Sequence, residues 1–383
     1  MSEMNPKYAP LFEPLELNNG VTLKNRLVVA PLTIYDSGAD GELTDAARRF
    51  WNDRFKGFSL FIVPFTNVAP GGIGFESPNA FDSRHLATLK EYADIAHAQG
   101  ALAVVQLAHS GLHARREMTQ GHDVVSPTTA PFAGSRAMTE AEVRGLVDAY
   151  ARAAELSLEA GLDGVEIHGA NGWLVQQFFS GNTNLRTDDW GGSREKRMAL
   201  PLAVVDAVDA VRRRHHRPDF IVGYRFSPEE PGERGLTMAD TFALVDALLD
   251  KPLQYLHVSL WDFYKKARRG ADTSLTRMQL LHERIGGRLP LIGVGSLYTA
   301  DDMIRAWDTG WAELLAIGKS VLLNPHLIEL IRTGREDEIE TTFDWDKADS
   351  YRYTQAMLEG TRMGTDFYPR SKQFSPRYRS EDY

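Results

Sequence analysis

Eight short runs of apolar and β-branched residues, separated by stretches of helical periodicity, constrain this chain more than any other feature. They fall at 27–31, 60–64, 101–106, 164–168, 220–225, 255–259, 290–294 and 314–317. Between them, 85–99, 140–159, 195–214, 239–249 and 300–308 place apolar residues three and four apart, as an amphipathic helix does. Strands alternating with helices predict a parallel sheet, and runs apolar on both faces predict strands buried on both sides. Eight such units predict an α/β fold closed into a single (β/α)8 TIM barrel. A doubly wound open sheet is the competing arrangement, but no run is followed by Gly-x-Gly-x-x-Gly. Gly71, Gly72 and Gly74, or Gly293 and Gly295, have the wrong spacing for a dinucleotide turn.

The 383 residues exceed the roughly 250 of such a barrel. Residues 1–26 and those from about 337 onward therefore read as additions to it. The expected division is a barrel unit, 1–336, and a C-terminal helical extension and tail, 337–383. The absence of cysteine removes disulfides, thiolate nucleophiles and iron–sulfur clusters, so redox chemistry needs a bound organic cofactor. The formal net charge of -9 comes with no basic face, which argues against a nucleic-acid partner. Arg212, Arg213, Arg214 and Arg217 fall at the end of an expected helix, where cations complement the helix dipole. No apolar run approaches the ~18 residues of a membrane span, and the start lacks a signal peptide's pattern, so a cytoplasmic location is expected.

Barrel chemistry sits at the carboxyl ends of the strands. The first run ends in Ala30-Pro31-Leu32-Thr33, then Tyr35; the third in Gln106; the fourth in His168, followed by Gly169-Ala170-Asn171-Gly172-Trp173. The fifth ends in Arg225, the sixth in Ser259, the seventh in Gly295-Ser296 and the eighth in Gly318-Lys319. Glycine turns after the last two, one with a lysine, offer N–H groups and positive charge to a phosphate. Thr33, Gln106 and Arg225 supply a hydroxyl, an amide and a permanent cation, the set a flavin's pyrimidine edge requires. His168 and Asn171, three apart in a tight turn, are spaced to grip one carbonyl oxygen.

With these residues in place, the chain resembles the old yellow enzyme family of FMN-dependent ene reductases and NAD(P)H:flavin oxidoreductases. The resemblance runs from Leu11 to about Leu330 and rests on Leu11-Phe12-Glu13-Pro14-Leu15, Leu23-Lys24-Asn25-Arg26, Gln106-Leu107-Ala108-His109-Ser110-Gly111, His168-Gly169-Ala170-Asn171-Gly172, Gly191-Gly192-Ser193-Arg194-Glu195-Lys196-Arg197, Arg225-Phe226-Ser227-Pro228 and Gly318-Lys319. It implies FMN as cofactor and NADH or NADPH as reductant. It also implies that Ala30, Pro31, Leu32 and Thr33 flank the isoalloxazine, Gln106 and Arg225 its pyrimidine edge, and Gly295, Ser296, Gly318 and Lys319 its phosphate. His168 and Asn171 would bind the oxygen of a small-molecule acceptor such as an α,β-unsaturated carbonyl. No metal and no membrane enter this reading, and it is compatible with a homo-oligomer in which the tail around Arg377 and Arg379 serves a neighbouring subunit.

Three positions depart from the family's pattern. Trp173 stands where a tyrosine usually donates a proton to the α-carbon, and an indole N–H is no general acid. Tyr35 or water then becomes the proton source, or the acceptor is a quinone, nitro compound or dioxygen that needs none at carbon; a flavin-binding redox sensor with little turnover, and a flavin-free barrel enzyme that uses the last two turns for a phosphorylated metabolite, are the remaining alternatives. Lys319 replaces an arginine and loses its bidentate fork. Phe65 fills a place where a small residue is common. Lys265, Lys266, Arg268 and Arg269 follow the sixth run and suit NADPH phosphates, an anionic substrate or a solvated loop, and His109 with His113 reads as packing rather than metal ligation.

Overall fold

A computed structural model describes residues 3–373; the tail with Arg377 and Arg379 lies outside the described residues. Eight strands form a closed barrel: β1 Leu27–Val29, β2 Leu60–Asn67, β3 Leu102–Ala108, β4 Gly164–Gly169, β5 Ile221–Phe226, β6 Tyr255–Val258, β7 Leu291–Val294 and β8 Leu314–Ile317. Each pairs in parallel with its neighbours in chain order, and β8 returns to β1. Every expected strand is present, with no end moved by more than three residues.

The continuous apolar runs follow from burial on both faces. Val28, Ile62, Val104, Ile221, Ile292, Leu314 and Ala316 fill the barrel, while Val63, Val105, Val165, Ile167 and Val222 pack outward with helical residues such as Ala96, Tyr150 and Val204. One strand is irregular: the β2–β3 register shifts between Val63 and Thr66. Pro64 stands there, and without an N–H it cannot donate to a ladder. The bulge leaves Phe65 at the barrel mouth.

Helices Glu140–Glu159, Met238–Leu249 and Ala300–Asp308 open with capping boxes at Thr139, Thr237 and Thr299. The expected helix 195–214 divides into Arg194–Arg197 and Ala199–Arg214. Pro201 explains the break, because proline is tolerated only in a helix's first turn. After β8, helices Lys319–Leu323 and Leu327–Arg332 lead to helices Ala348–Tyr351 and Gln355–Met363. Arg54, 1% exposed, fastens this region to the barrel: its guanidinium donates to the carbonyls of Phe50 (2.6 Å), Val321 (2.7 Å), Leu322 (2.9 Å) and Tyr351. No helix among the described residues is long and apolar enough to cross a membrane.

Candidate active site

The barrel interior is apolar around β7, β8 and β1 but polar where β3, β4, β5 and β6 adjoin. In register, Gln106 stands beside Glu166, His168 beside Arg225, and Arg225 beside His257. Glu166 is fully buried and accepts hydrogen bonds from Gln106 Nε2 (2.7 Å), Tyr255 Oη (3.1 Å) and His257 Nδ1 (2.8 Å). Tyr255 reaches it across Gly223, where a Cβ would lie 2.2 Å from the tyrosine ring. Burial opposes charge on Glu166, but His257, Arg225 and Gln106 outweigh it and hold its pKa below the usual value.

Arg225 Nε and His168 Nδ1 have no hydrogen-bond partner among the described residues, although both are buried. Such buried polar atoms are costly unless something satisfies them. Burial, reinforced by Arg225 and His257, lowers the His168 pKa well below its ordinary value, so the imidazole is neutral at neutral pH. An amide, an arginine with an unspent donor and a neutral imidazole, all facing one mouth, fit the pyrimidine edge of FMN and a carbonyl beside it.

Asn171 follows β4 at φ +58°, a left-handed conformation that asparagine tolerates better than most residues. Its N–H donates to Ser227 Oγ (2.8 Å), and its Oδ1 accepts from Ser227 Oγ (3.3 Å) and Ser259 Oγ (2.6 Å). With Oδ1 occupied twice, the side chain's remaining polar end is the donor Nδ2. Ser227 and Ser259 therefore belong to the candidate site; in the sequence Ser227 stands out only within Arg225-Phe226-Ser227-Pro228.

Gly318 brings the end of β8 against the end of β1, since a Cβ there would lie 3.4 Å from Leu32 and 3.9 Å from Ala30. Pro31, Leu32 and Thr33 are partly exposed along this rim. Tyr35 has φ +50° and lies edge-on to Phe75 (5.4 Å) and Phe367 (6.4 Å). Burial raises its pKa, with Glu76 adding and Arg115 opposing. Trp173 joins the same aromatic wall, its ring 5.0 Å from Phe65, 5.8 Å from Phe75 and 5.6 Å from His113. Phe65 also meets His168 edge-on at 5.9 Å.

At the other side of the mouth, Gly295 has φ +131°, and a Cβ would come within 2.6 Å of the Phe263 nitrogen. Only glycine fits there. Ser296, at φ +54°, spends its hydroxyl on the Trp261 carbonyl (2.7 Å), so what it offers a phosphate is backbone. Lys319 opens its helix with Nζ 5.2 Å above the Trp261 ring. Its pKa is lowered by burial and by Arg370, with Asp366 opposing.

The basic run after β6 is only partly available. Arg269 donates to the carbonyls of Glu230, Gly232 and Gly235, and the Arg268 and Arg269 amides donate to Glu229. His109 is buried, accepts from the Gly111 amide at Nδ1 (3.0 Å) and packs on Gly72, while His113 sits at the Trp173 edge. Among the described residues, no group of three or more His, Asp, Glu or Cys is arranged to hold a metal ion. Glu166, Tyr255 and His257 were not singled out from sequence; a carboxylate within an otherwise apolar strand was the available signal.

Residues 10–338 match the model of the NADH:flavin oxidoreductase / NADH oxidase family. A probable NADH-dependent flavin oxidoreductase, YqiG, of Bacillus subtilis (strain 168) is 46% identical over 360 residues, covering 93% of this chain and 96% of that protein. The NADH:acrylate oxidoreductase of Vibrio harveyi is 33% identical over 333 residues, 83% of this chain, which spans 32% of that longer protein. Among solved structures, morphinone reductase in complex with tetrahydroNAD superposes with a TM-score of 0.74 at 28% identity, covering 92% of this chain and 96% of that one.

Proposed function

The chain belongs to the NADH:flavin oxidoreductase / NADH oxidase family, the old yellow enzymes of the sequence reading, and from that premise we propose how its residues carry hydride from a nicotinamide to an electron-poor acceptor. It is an FMN-dependent oxidoreductase. When bound, FMN supplies the hydride chemistry, taking hydride from NADH or NADPH and yielding it to the acceptor. Binding, orientation and proton supply fall to the protein.

Gln106 and Arg225 hold the pyrimidine edge, where the unspent Arg225 Nε and its charge favour the negative charge gained on reduction. Ala30, Pro31, Leu32 and Thr33 flank the ring. Backbone at Gly295, Ser296 and Gly318, with the Lys319 ammonium, holds the phosphate. His168 and Asn171 bind the acceptor's carbonyl or nitro oxygen and stabilise the charge that develops there. The observation that carries this reading is the orientation of Asn171, whose oxygen accepts from Ser227 and Ser259 and leaves the Nδ2 donor end of its amide for the acceptor.

Trp173 cannot deliver the proton that an alkene needs. Tyr35 is the phenol on the same aromatic wall, sharing Phe75 with Trp173, and is protonated at neutral pH, although burial makes it a weaker acid than a free tyrosine. The aromatic wall of Phe65, Phe75 and Trp173 favours a second reading, in which a flat quinone or nitroarene is the acceptor and no carbon is protonated. Anaerobic stopped-flow on NADH-reduced protein tests both. Reoxidation by enones supports the first, reoxidation by quinones or nitro compounds alone selects the second, and reoxidation by none refutes the site assignment. Trp173→Tyr should accelerate enone reduction if the missing acid limits the native enzyme.

A further inference from the structure

We propose that Glu166 is a positioning residue that sets how readily bound FMN is reduced, by holding a buried negative charge beside Arg225 and by fixing the amide of Gln106. The inference rests on the FMN reading above and adds a residue that touches neither cofactor nor acceptor.

A carboxylate inside a barrel is expensive, and a well-packed apolar residue of similar volume is often the more stable solution. The neighbouring interior of this barrel adopts that solution, with Ile62, Ile292 and Ala316. Glu166 instead stands fully buried with three donors built around it. One of them, Tyr255, reaches it only because β5 offers Gly223. The surroundings are thus shaped to keep this charge.

Its effects on the mouth follow from chemistry. Because Glu166 accepts from Gln106 Nε2, the acceptor Oε1 is the end of that amide left for a ligand, which suits the N3–H of a flavin. Because Glu166 accepts from His257 Nδ1, and burial lowers the pKa of that ring so that it is neutral, His257 is the Nδ1–H tautomer and its Nε2, which meets no partner among the described residues, carries no proton. The carboxylate also offsets part of the Arg225 charge, and with it part of the stabilisation Arg225 gives to the negative charge FMN acquires with hydride.

Glu166→Gln keeps the volume, removes the charge and turns an acceptor toward a donor. In the holoenzyme equilibrated with a reference dye, the reduced-to-oxidised FMN ratio should rise at least tenfold at fixed poise, about 30 mV for a two-electron couple. Tyr255→Phe deletes one hydrogen bond but keeps the charge, and should change the ratio less than threefold. A Glu166→Gln protein that retains FMN with a ratio within threefold of wild type overturns the proposal. Wild-type protein that binds no FMN overturns the reading beneath it instead. Nitrogen NMR of the wild-type holoenzyme requires no variant to fold: a neutral His257 with its proton on Nδ1 at pH 7 is expected, and an Nε2–H or doubly protonated ring contradicts the proposal.

Discussion

Replacing Asn171 by aspartate is the sharpest perturbation of the acceptor clamp. Aspartate is nearly isosteric and tolerates the left-handed backbone at φ +58°, so the turn after β4 keeps its shape. The hydroxyls of Ser227 and Ser259 can still donate to one carboxylate oxygen, as they do to Oδ1. Only the outward end changes, from an N–H donor to an anionic acceptor. Loss of one donor to a developing oxyanion costs about 2.7–4 kcal/mol, roughly 100- to 1000-fold in rate. Stopped-flow reoxidation of the reduced enzyme by an enone should slow by that factor while the FMN content stays that of wild type. Ser259→Ala, which removes the 2.6 Å bond and leaves the donor in place, should slow it only about 2- to 12-fold, the worth of one net hydrogen bond. An Asn171→Asp enzyme within fivefold of wild type would refute the clamp.

Two further outcomes follow from buried groups. Arg54→Met leaves four carbonyls without their donor; at ~1 kcal/mol each, net, urea denaturation should show a loss of about 4 kcal/mol, and a loss under 1 kcal/mol would show that the anchor is dispensable. His109 has its pKa lowered by burial from 6.5 to about 4. The folded state therefore binds fewer protons than the unfolded, and the stability it contributes is full above pH 6.5 and lost as pH falls toward 4. Between pH 8 and pH 5 that amounts to about 2 kcal/mol, a slope that His109→Asn should abolish.

The barrel was legible because burial on both faces writes each strand as an unbroken apolar run. The strand-end residues were legible for a related reason: a polar residue ending such a run has few places to go but the mouth. What escaped was the interior network and the loop contacts. Glu166 sits inside its strand rather than at its end, and its partners come from β3 and β6, distant in sequence. Ser227 and Ser259 matter only because β4, β5 and β6 lie side by side, which no local pattern reveals. Likewise, four basic residues among the five at 265–269 suggested a surface for phosphates, but Arg269 is committed to the carbonyls of an adjacent loop.

Three non-glycine residues of the mouth, Tyr35, Asn171 and Ser296, hold positive φ angles, a conformation that costs of order 1–3 kcal/mol each and persists only where surroundings overdetermine it. Each has such surroundings. Asn171 is held by two serines, Ser296 by the Trp261 carbonyl, and Tyr35 between Phe75 and Phe367. Phe367 comes from the C-terminal region and is more than half exposed, yet its ring also meets Trp261, the platform under Lys319. The segment is pinned behind it: Tyr368 packs on Gly360, and the Phe343 amide donates to the Arg370 carbonyl at 2.7 Å. The C-terminal region therefore bears on the two sides of the mouth at once, the Tyr35 side proposed to meet acceptors and the Lys319 side proposed to hold phosphate. Phe367, though largely exposed, touches both sides through one ring, Tyr35 at 6.4 Å and Trp261 at 5.9 Å.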